Sequence, residues 1–437
     1  MAIVADDLNS GAMADALSTF PPSWVLTGAF ALCLVAGAVL KIWLAMRQIR
    51  HVALHRNQVP PAFSETITLP NHQKAAGYTI AKAEIELLEL ALGSIVLLVW
   101  TLMGGLSALN WALLRWLGGG MEQQIALVAS FVVINGLIDL PLSLYQTFVI
   151  EERFGFNKMT LRLWLIDLAK SSLIGALVGL PIVALILWLM GAAGNLWWLL
   201  AWGVWMVFNV VLLLIYPSLI APLFNKFRPL DDEALRIRVT ALMRRCGFAA
   251  KGLFVMDGIK RSAHANAYFT GFGAAKRVVF YDTLLSKLSV AEVDAVLAHE
   301  LGHFKHRHIV KRIIALFALS LLGFSMLGWL ATQVWFYQGL GVQPNLDAPN
   351  DALALLLFML VVPIFSFFIT PAFALFSRKH EFEADAYAVA QTNGRDLATA
   401  LLKLYEDNAS TLTPDPVYAK FHYSHPPASE RLTRILV

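Results

Sequence analysis

Seven stretches of this sequence are long and apolar enough to cross a lipid bilayer, which takes about 20 residues in a helix. They are Trp24–Met46, Leu87–Leu109, Ile125–Ile150, Leu173–Met190, Leu196–Tyr216, Ile313–Trp335 and Ala352–Leu375. The composition agrees, because 58% of the 437 residues are hydrophobic and only 15% are charged, whereas a soluble domain carries about 25% charged residues. The sequence therefore predicts a mainly α-helical integral membrane protein with seven transmembrane helices.

The basic residues between these spans are unevenly distributed. The segments after the first, third, fifth and seventh spans are rich in Lys and Arg, whereas Arg115 is the single basic residue in the connections on the other side. By the positive-inside rule, we expect the N-terminus outside and the C-terminus in the cytoplasm. The net charge of +4 is small and forms no basic patch. We therefore expect a lipid bilayer as partner and no nucleic acid.

The longest polar segment contains an H-E-x-x-H motif, in which His299 and His303 are separated by four positions. Two histidines at this spacing lie on one face of a helix, where both can bind one Zn²⁺. Glu300, between them, is placed to act as a general base towards water. Ser289 and Glu292 match a capping box, which predicts that the helix begins there.

The region before this motif predicts a small mixed domain. A polar helical pattern, Asp231–Cys246, is followed by three short β-like runs separated by turn residues. The runs are Gly252–Met256, Asn266–Thr270 and Arg277–Tyr281. We therefore expect a small α+β zinc-protease domain on the cytoplasmic side. It should lie close to the membrane, because the sixth span follows the motif immediately.

A catalytic zinc site needs a third protein ligand. The metzincin pattern would require a histidine at position 309, which is Ile309, so that route is excluded. A gluzincin takes a glutamate from a downstream helix, and Glu381 is a candidate. Asp385, four residues later, can accept a hydrogen bond from a ligand histidine. From spacing alone, Glu383 and His380 compete with Glu381 as ligands.

Two further groups have simpler interpretations. His306 and His308 are expected to form a solvated, basic helix end near the membrane surface. Cys33 and Cys246 are the only cysteines, and one lies in an apolar span while the other lies in a polar domain. We expect them to be unpaired structural thiols.

Several motifs in one order resemble the integral-membrane gluzincins typified by the type I CAAX prenyl endopeptidases. The resemblance covers nearly the whole chain. Its motifs are YQTFVIEERFGFN (Tyr145–Asn157), PLFN (Pro222–Asn225), NAYFTG (Asn266–Gly271), HELGHFK (His299–Lys305), SRKHEFEAD (Ser377–Asp385) and YSHPPASER (Tyr423–Arg431).

The resemblance implies a role for each of several site residues. One zinc ion per chain would be bound by His299, His303 and Glu381, with Glu300 as catalytic base and Asp385 as the partner of a ligand histidine. His425 and Arg431 resemble residues that stabilise the tetrahedral oxyanion or support the site. Asn266 and Ala267 resemble edge-strand residues that receive the substrate backbone.

The resemblance also implies that the seven helices enclose a large water-filled chamber. Polar residues at membrane depth give independent support, because such groups usually face a cavity or a partner. They are Glu84, Glu86, Glu89, Asn135, Asp139 and Asn209. Asp139 is equally explained as a contact between helices.

These observations divide the chain into five parts. We expect a tail over residues 1–23, five transmembrane helices over 24–224, a cytoplasmic metallopeptidase domain over 225–312, two transmembrane helices over 313–376, and the rest of the peptidase domain, with the third ligand, over 377–437.

The predicted function is zinc-dependent hydrolysis of peptide bonds near the C-terminus of prenylated CAAX-type proteins or similar membrane-associated peptides. One alternative is a membrane-protein quality-control protease of broad specificity that uses the same residues. A second is a transporter or channel with a structural zinc ion, although such a protein has no need of Glu300.

Overall fold

The computed structural model describes residues 20–248, 252–264, 267–270 and 277–436, with the backbone alone for 267–270. Asn266 lies outside the described residues, as does most of the predicted tail. The first half of the chain is helical, and most of its helices are long. They are α1 (Pro22–His55), α2 (Leu69–Trp100), α3 (Gly105–Leu117), α4 (Met121–Tyr145), α5 (Leu161–Ala192), α6 (Trp197–Ile215) and α7 (Ala221–Phe224).

Within the described residues, six helices are long and apolar enough to span a membrane, or seven if the bent pair α2 and α3 forms one span. The pair bends by 49° at a turn where Gly104 has φ 79°. The second span therefore differs from the predicted Leu87–Leu109. Its helix starts at Leu69, capped by Thr68, and its first half carries charged residues that hydropathy alone does not assign to a span.

A four-stranded sheet follows, with helices around it. The elements are β1 (Phe227–Pro229), α8 (Glu233–Arg245), β2 (Gly252–Met256), β3 (Ala267–Thr270), β4 (Arg277–Tyr281), α9 (Asp282–Leu285) and α10 (Val290–Lys305). The strand order is β1-β2-β4-β3. Strands β2 and β4 are parallel and the other pairs are antiparallel. Strand β3 therefore lies at an edge of the sheet.

The rest of the chain returns through the membrane helices to the peptidase region. Its elements are α11 (His308–Leu330), α12 (Val334–Gly339), α13 (Asp351–Ser366), α14 (Thr370–Gln391), α15 (Gly394–Asp407), α16 (Pro416–His422) and α17 (Ala428–Ile435). A short 3₁₀ turn, Phe367–Ile369, joins α13 to α14. The helix that spans the membrane thus continues into the peptidase region.

Three clusters of buried apolar residues occur in the described part of the chain, and two of them are large. One lies between the sheet and helices α8, α10, α15 and α17, and the other lies among the membrane helices. Helix α10 contributes Val293, Leu297 and Leu301 to the first core, each at most 2% exposed. Burying such side chains stabilises the fold by roughly 1.5–3 kcal/mol each. This packing fixes the position of the helix that carries the H-E-x-x-H motif.

Helices α10 and α14 approach each other closely at Gly302. An added Cβ at this glycine would lie only 2.9 Å from the backbone Cα of Ala384. Only a residue without a side chain permits this approach. The contact brings the histidines of α10 beside the carboxylates of α14.

Candidate metal-dependent active site

The local sequence explains where helix α10 begins. The Glu292 backbone N–H donates to Ser289 Oγ over 3.4 Å, and the Ser289 backbone N–H donates to Glu292 Oε2 over 2.7 Å. The predicted capping box is therefore confirmed. Ten residues further along this helix, the side chain of His299 points into the space between α10 and α14.

Three side chains converge at this point: His299, His303 and Glu381. The two Nε2 atoms of the histidines lie 3.2 Å apart. Each lies 3.4 Å from an oxygen of Glu381, the first from Oε2 and the second from Oε1. One potential ligand atom from each residue fits within 4.8 Å of the others. This set of two imidazoles and one carboxylate is the donor set of a catalytic zinc site.

The surroundings of these atoms fit a bound cation. Glu381 Oε2 is buried and has no hydrogen-bond partner among the described residues, which is costly for a carboxylate oxygen unless a ligand satisfies it. Burial by itself would lower the pKa of His299, but the nearby carboxylates of Asp385 and Glu381 raise that pKa to about 9. The site therefore favours positive charge.

The competing candidates for a third ligand point elsewhere. Glu383 lies 2.9 Å from His308 Nε2, and the ring of His380 stacks on the ring of His308 with centroids 4.0 Å apart. Spacing along the chain does not distinguish these residues from Glu381. The structure does, because Glu381 is on the side of α14 that faces α10.

Glu300 is half-buried and lines the same cavity as the three converging residues. Burial raises the pKa of its carboxyl above the ordinary range. A carboxylate with a raised pKa accepts a proton more readily than an exposed one. Its position next to the cluster matches the predicted general base.

Asp385 and Arg431 lie behind His299. Asp385 Oδ1 is 2.8 Å from His299 Nδ1, and Arg431 donates to both oxygens of Asp385, over 2.8 Å and 2.6 Å. All three residues are at least nine-tenths buried. Arg431 therefore supports the site through Asp385, which was one of the two roles that the resemblance implied for it.

His425 occupies an exposed position on the other side of the cluster. Its Nε2 lies 3.4 Å from Glu381 Oε1, and its Nδ1 lies 3.1 Å from Ser424 Oγ. The ring faces the cavity from the loop that precedes α17. A donor at this place can reach a substrate carbonyl at the cluster.

The prediction for His308 was wrong, whereas His306 is exposed as expected. His308 is 4% exposed, and its Nδ1 lies 3.0 Å from His303 Nδ1. Helix α10 ends at Lys305, Arg307 adopts a left-handed conformation with φ 56°, and the chain turns back. Periodicity within one continuous helix does not reveal this break.

A cavity of about 700 Å³ opens beside the cluster. Its walls come from both the membrane helices and the peptidase elements. They include Gln48, Tyr78, Lys82, Glu86, His264, Tyr418, His422 and Tyr423. The cavity therefore connects the cluster with side chains from the membrane region.

The polar residues predicted to face a chamber have different environments. Glu86 lines this cavity and accepts a hydrogen bond from Tyr418 over 3.0 Å, whereas Glu89 lines a separate cavity of about 180 Å³. Asn135 accepts a hydrogen bond from Trp100 over 3.1 Å, and Asn209 donates to the carbonyl of its own helix. Asn135 thus takes part in a contact between two helices, α2 and α4.

The edge strand β3 begins at Ala267, which pairs with Phe280 of β4. His264, three residues earlier, lines the cavity. Sequence reasoning assigned no role to His264 or to Tyr78. Tyr78 donates to Glu151 over 2.6 Å, and His264 Nε2 lies 3.6 Å from the same carboxylate. The sequence feature that could have pointed to these two residues was the YQTFVIEERFGFN motif, because it contains Glu151, which both of them contact.

Comparison with known proteins is consistent with this geometry. Residues 48–226 match the family described as CAAX prenyl protease N-terminal, five membrane helices, and residues 229–436 match peptidase family M48. The CAAX prenyl protease 1 homolog of Arabidopsis thaliana is 36% identical over 406 residues, covering 91% of this chain and 94% of that protein. The chain belongs to the CAAX prenyl protease family within peptidase family M48.

Two other relatives extend the comparison. CAAX prenyl protease 1 of Saccharomyces cerevisiae is 37% identical over 329 residues, covering 72% of each chain. The crystal structure of S. mikatae Ste24p aligns with a TM-score of 0.87 and 31% identity, covering 95% of this chain and 99% of that one. The predicted mainly helical membrane fold with a small sheet and the predicted enzyme class are confirmed. This M48 chain is a membrane metalloendopeptidase with several membrane helices, and its substrates are peptides or proteins.

Proposed function

We propose that this M48 peptidase binds one zinc ion through His299, His303 and Glu381 and uses Glu300 as its general base. The observation that carries the proposal is the convergence of these three side chains at Glu381 Oε2, a buried oxygen that accepts no hydrogen bond from any described residue. Zinc held by these residues would polarise the scissile carbonyl and would make water a stronger nucleophile at neutral pH.

The chain's own residues then perform the proton transfers and the positioning. Glu300 takes a proton from the attacking water and passes it to the leaving amine as the C–N bond breaks. His425 donates a hydrogen bond to the oxygen that gains negative charge. Asp385, held by Arg431, accepts from His299 Nδ1 and so keeps Nε2 directed at the metal.

The substrate that we propose is the C-terminal tail of a prenylated CAAX-type protein. Relatives that align over most of this chain are named CAAX prenyl proteases, and the cavity joins the cluster to the membrane helices. Among the described strands β3 lies at the edge of the sheet, and an extended tail could add there, where Ala267 and Asn266 would receive its backbone. The prenyl group partitions into the bilayer beside the cavity.

A comparison of two peptides tests the substrate class. A farnesylated CAAX-type peptide and its unlipidated twin would be incubated with the detergent-purified enzyme. The proposal predicts a higher kcat/KM for the farnesylated peptide. Equal kcat/KM values for the two peptides would contradict it and would favour the alternative of a quality-control protease with broad specificity.

We also propose that the site faces the cytoplasm and that the N-terminal end of α1 lies outside. The basic residues support this orientation, since they concentrate at the end of the helices that carries the site. The connection between α3 and α4 would then be external, and Gly120 there has no atom within 4 Å of an added Cβ in the described part of the chain.

Labelling of single cysteines tests this orientation. In a background without Cys33 and Cys246, Gly120→Cys and Ser429→Cys would be treated with a membrane-impermeant thiol reagent in right-side-out vesicles. We expect only the first to react before permeabilisation. Reaction of only the second would reverse the orientation.

A further inference from the structure

The end of helix α10 brings His308 back towards the metal cluster. On a continuous helix, five residues correspond to about 140° of rotation beyond a full turn, so His308 and His303 would face different directions. The left-handed Arg307 ends α10 and starts α11, and the two imidazole rings meet with centroids 5.1 Å apart. This conformation is strained for a residue with a side chain, so other contacts must offset the strain.

The contacts form a chain of polar atoms that leads away from the cluster. His303 Nδ1 lies 3.0 Å from His308 Nδ1, and His308 Nε2 lies 2.9 Å from Glu383 Oε2. His308 is buried on all sides, and His380 stacks on its ring with an interplanar angle of 12°. Lys379 Nζ lies 3.9 Å from the other oxygen of Glu383.

The donor and acceptor roles along this chain follow from its last member. The carboxylate of Glu383 accepts, so His308 Nε2 carries the hydrogen and donates it. His308 Nδ1 then has a free lone pair and accepts from His303 Nδ1–H. This assignment leaves the lone pair of His303 Nε2 directed towards Glu381 and the cluster.

We propose that His308 and Glu383 are positioning residues that hold His303 in its metal-binding tautomer. Asp385 has the matching task at His299, with a carboxylate in direct contact. At His303, the imidazole of His308 makes the direct contact, and the carboxylate of Glu383 contacts His308 in turn. Partners of this kind fix both the tautomer and the ring orientation of a ligand histidine.

Three variants of the full-length protein in detergent test this role by their affinity for zinc, measured by competition with a chelator. Asparagine places an oxygen close to the position of Nδ1, so His308→Asn keeps the acceptor for His303, whereas His308→Phe removes it. We expect a roughly 10–100-fold loss of affinity in His308→Phe and a much smaller loss in His308→Asn. His306→Phe, at the exposed neighbouring histidine, is the matched control and keeps the wild-type affinity.

The absorption spectrum of the Co²⁺-substituted protein reports ligand geometry separately from activity. It is expected to change in His308→Phe and not in His306→Phe. If His308→Phe does not fold, as judged by its thermal transition, the zinc affinity of His308→Asn is compared with that of His308→Leu instead. Wild-type affinity in either apolar variant, or equal losses in the asparagine and apolar variants, would overturn the proposal.

This inference rests on the proposed zinc site but not on the proposed substrate. A failure to prefer prenylated peptides therefore leaves it intact. If the wild type binds zinc no more tightly than His299→Ala does, that result contradicts the proposed metal site itself.

Discussion

The close approach of α10 and α14 at Gly302 gives the most informative single substitution. In Gly302→Ala, the new Cβ would lie 2.9 Å from Ala384 Cα and 3.1 Å from the Ala384 carbonyl oxygen. Carbon atoms in good contact are about 3.5–4.0 Å apart, so the helices must separate by roughly 0.5–1 Å. Both groups are backbone, and no side chain can rotate away to relieve the contact.

That separation acts directly on the proposed metal site, because His299 and His303 lie on one helix and Glu381 on the other. Ligand atoms now 3.4 Å apart would move away from each other. A displacement of about 1 Å at a catalytic site can lower activity about 100-fold. Overpacking lowers the free energy of unfolding by about 1–3 kcal/mol, but alanine regains about 1 kcal/mol over glycine within a helix.

Activity is therefore expected to fall far more than stability in Gly302→Ala. The assay combines kcat/KM for peptide cleavage, zinc affinity and the midpoint of thermal unfolding. Gly175→Ala is the matched control, since Gly175 is also helical and an added Cβ there meets no described atom within 4 Å. A folded Gly302→Ala protein with wild-type zinc affinity and kcat/KM would refute the reasoning.

Three further outcomes are expected. Asp385→Asn lowers zinc affinity about 10–100-fold, measured by chelator competition. It also lowers the free energy of unfolding by about 3–5 kcal/mol, because the buried Arg431 loses its anionic partner. An unchanged zinc affinity would contradict the proposed role of Asp385. Ser289→Ala removes the capping box and costs about 1 kcal/mol in thermal unfolding, with kcat unchanged, and an equal loss of kcat would show that the cap affects the site. Removal of zinc abolishes cleavage and lowers the midpoint of thermal unfolding. The reason is that zinc at about 100 times its Kd adds about 2.7 kcal/mol to the free energy of unfolding. A chelated sample with an unchanged midpoint would contradict metal binding to the folded state.

The sequence predicts those features that depend on local patterns. Apolar stretches predict the membrane helices, Ser289 and Glu292 predict the start of α10, and the spacing of His299 and His303 places both on one helical face. Each of these depends on residues within one or two turns of one another. The structure bears out the capping box and the strands Gly252–Met256 and Arg277–Tyr281.

The features that the sequence does not predict depend on contacts between distant segments. Spacing alone does not distinguish Glu381 from Glu383; the family resemblance selected Glu381, and the physical difference is the direction in which each side of α14 faces. His308 was expected to be solvated because its burial depends on the left-handed turn at Arg307. The start of the second span was missed because charged residues of α2, such as Glu86, line a cavity, which hydropathy does not register.

The proposed mechanism depends on proton transfer by Glu300 while zinc remains bound, and one substitution tests this step separately from metal binding. Glu300→Gln keeps the size and polarity of the side chain but cannot accept the proton from water. The measurement is the cleavage rate of a farnesylated CAAX-type peptide by wild type and Glu300→Gln, with zinc content determined in the same samples. We predict equal zinc content and a loss of cleavage of at least about 100-fold. Wild-type cleavage by the zinc-loaded variant would contradict the mechanism.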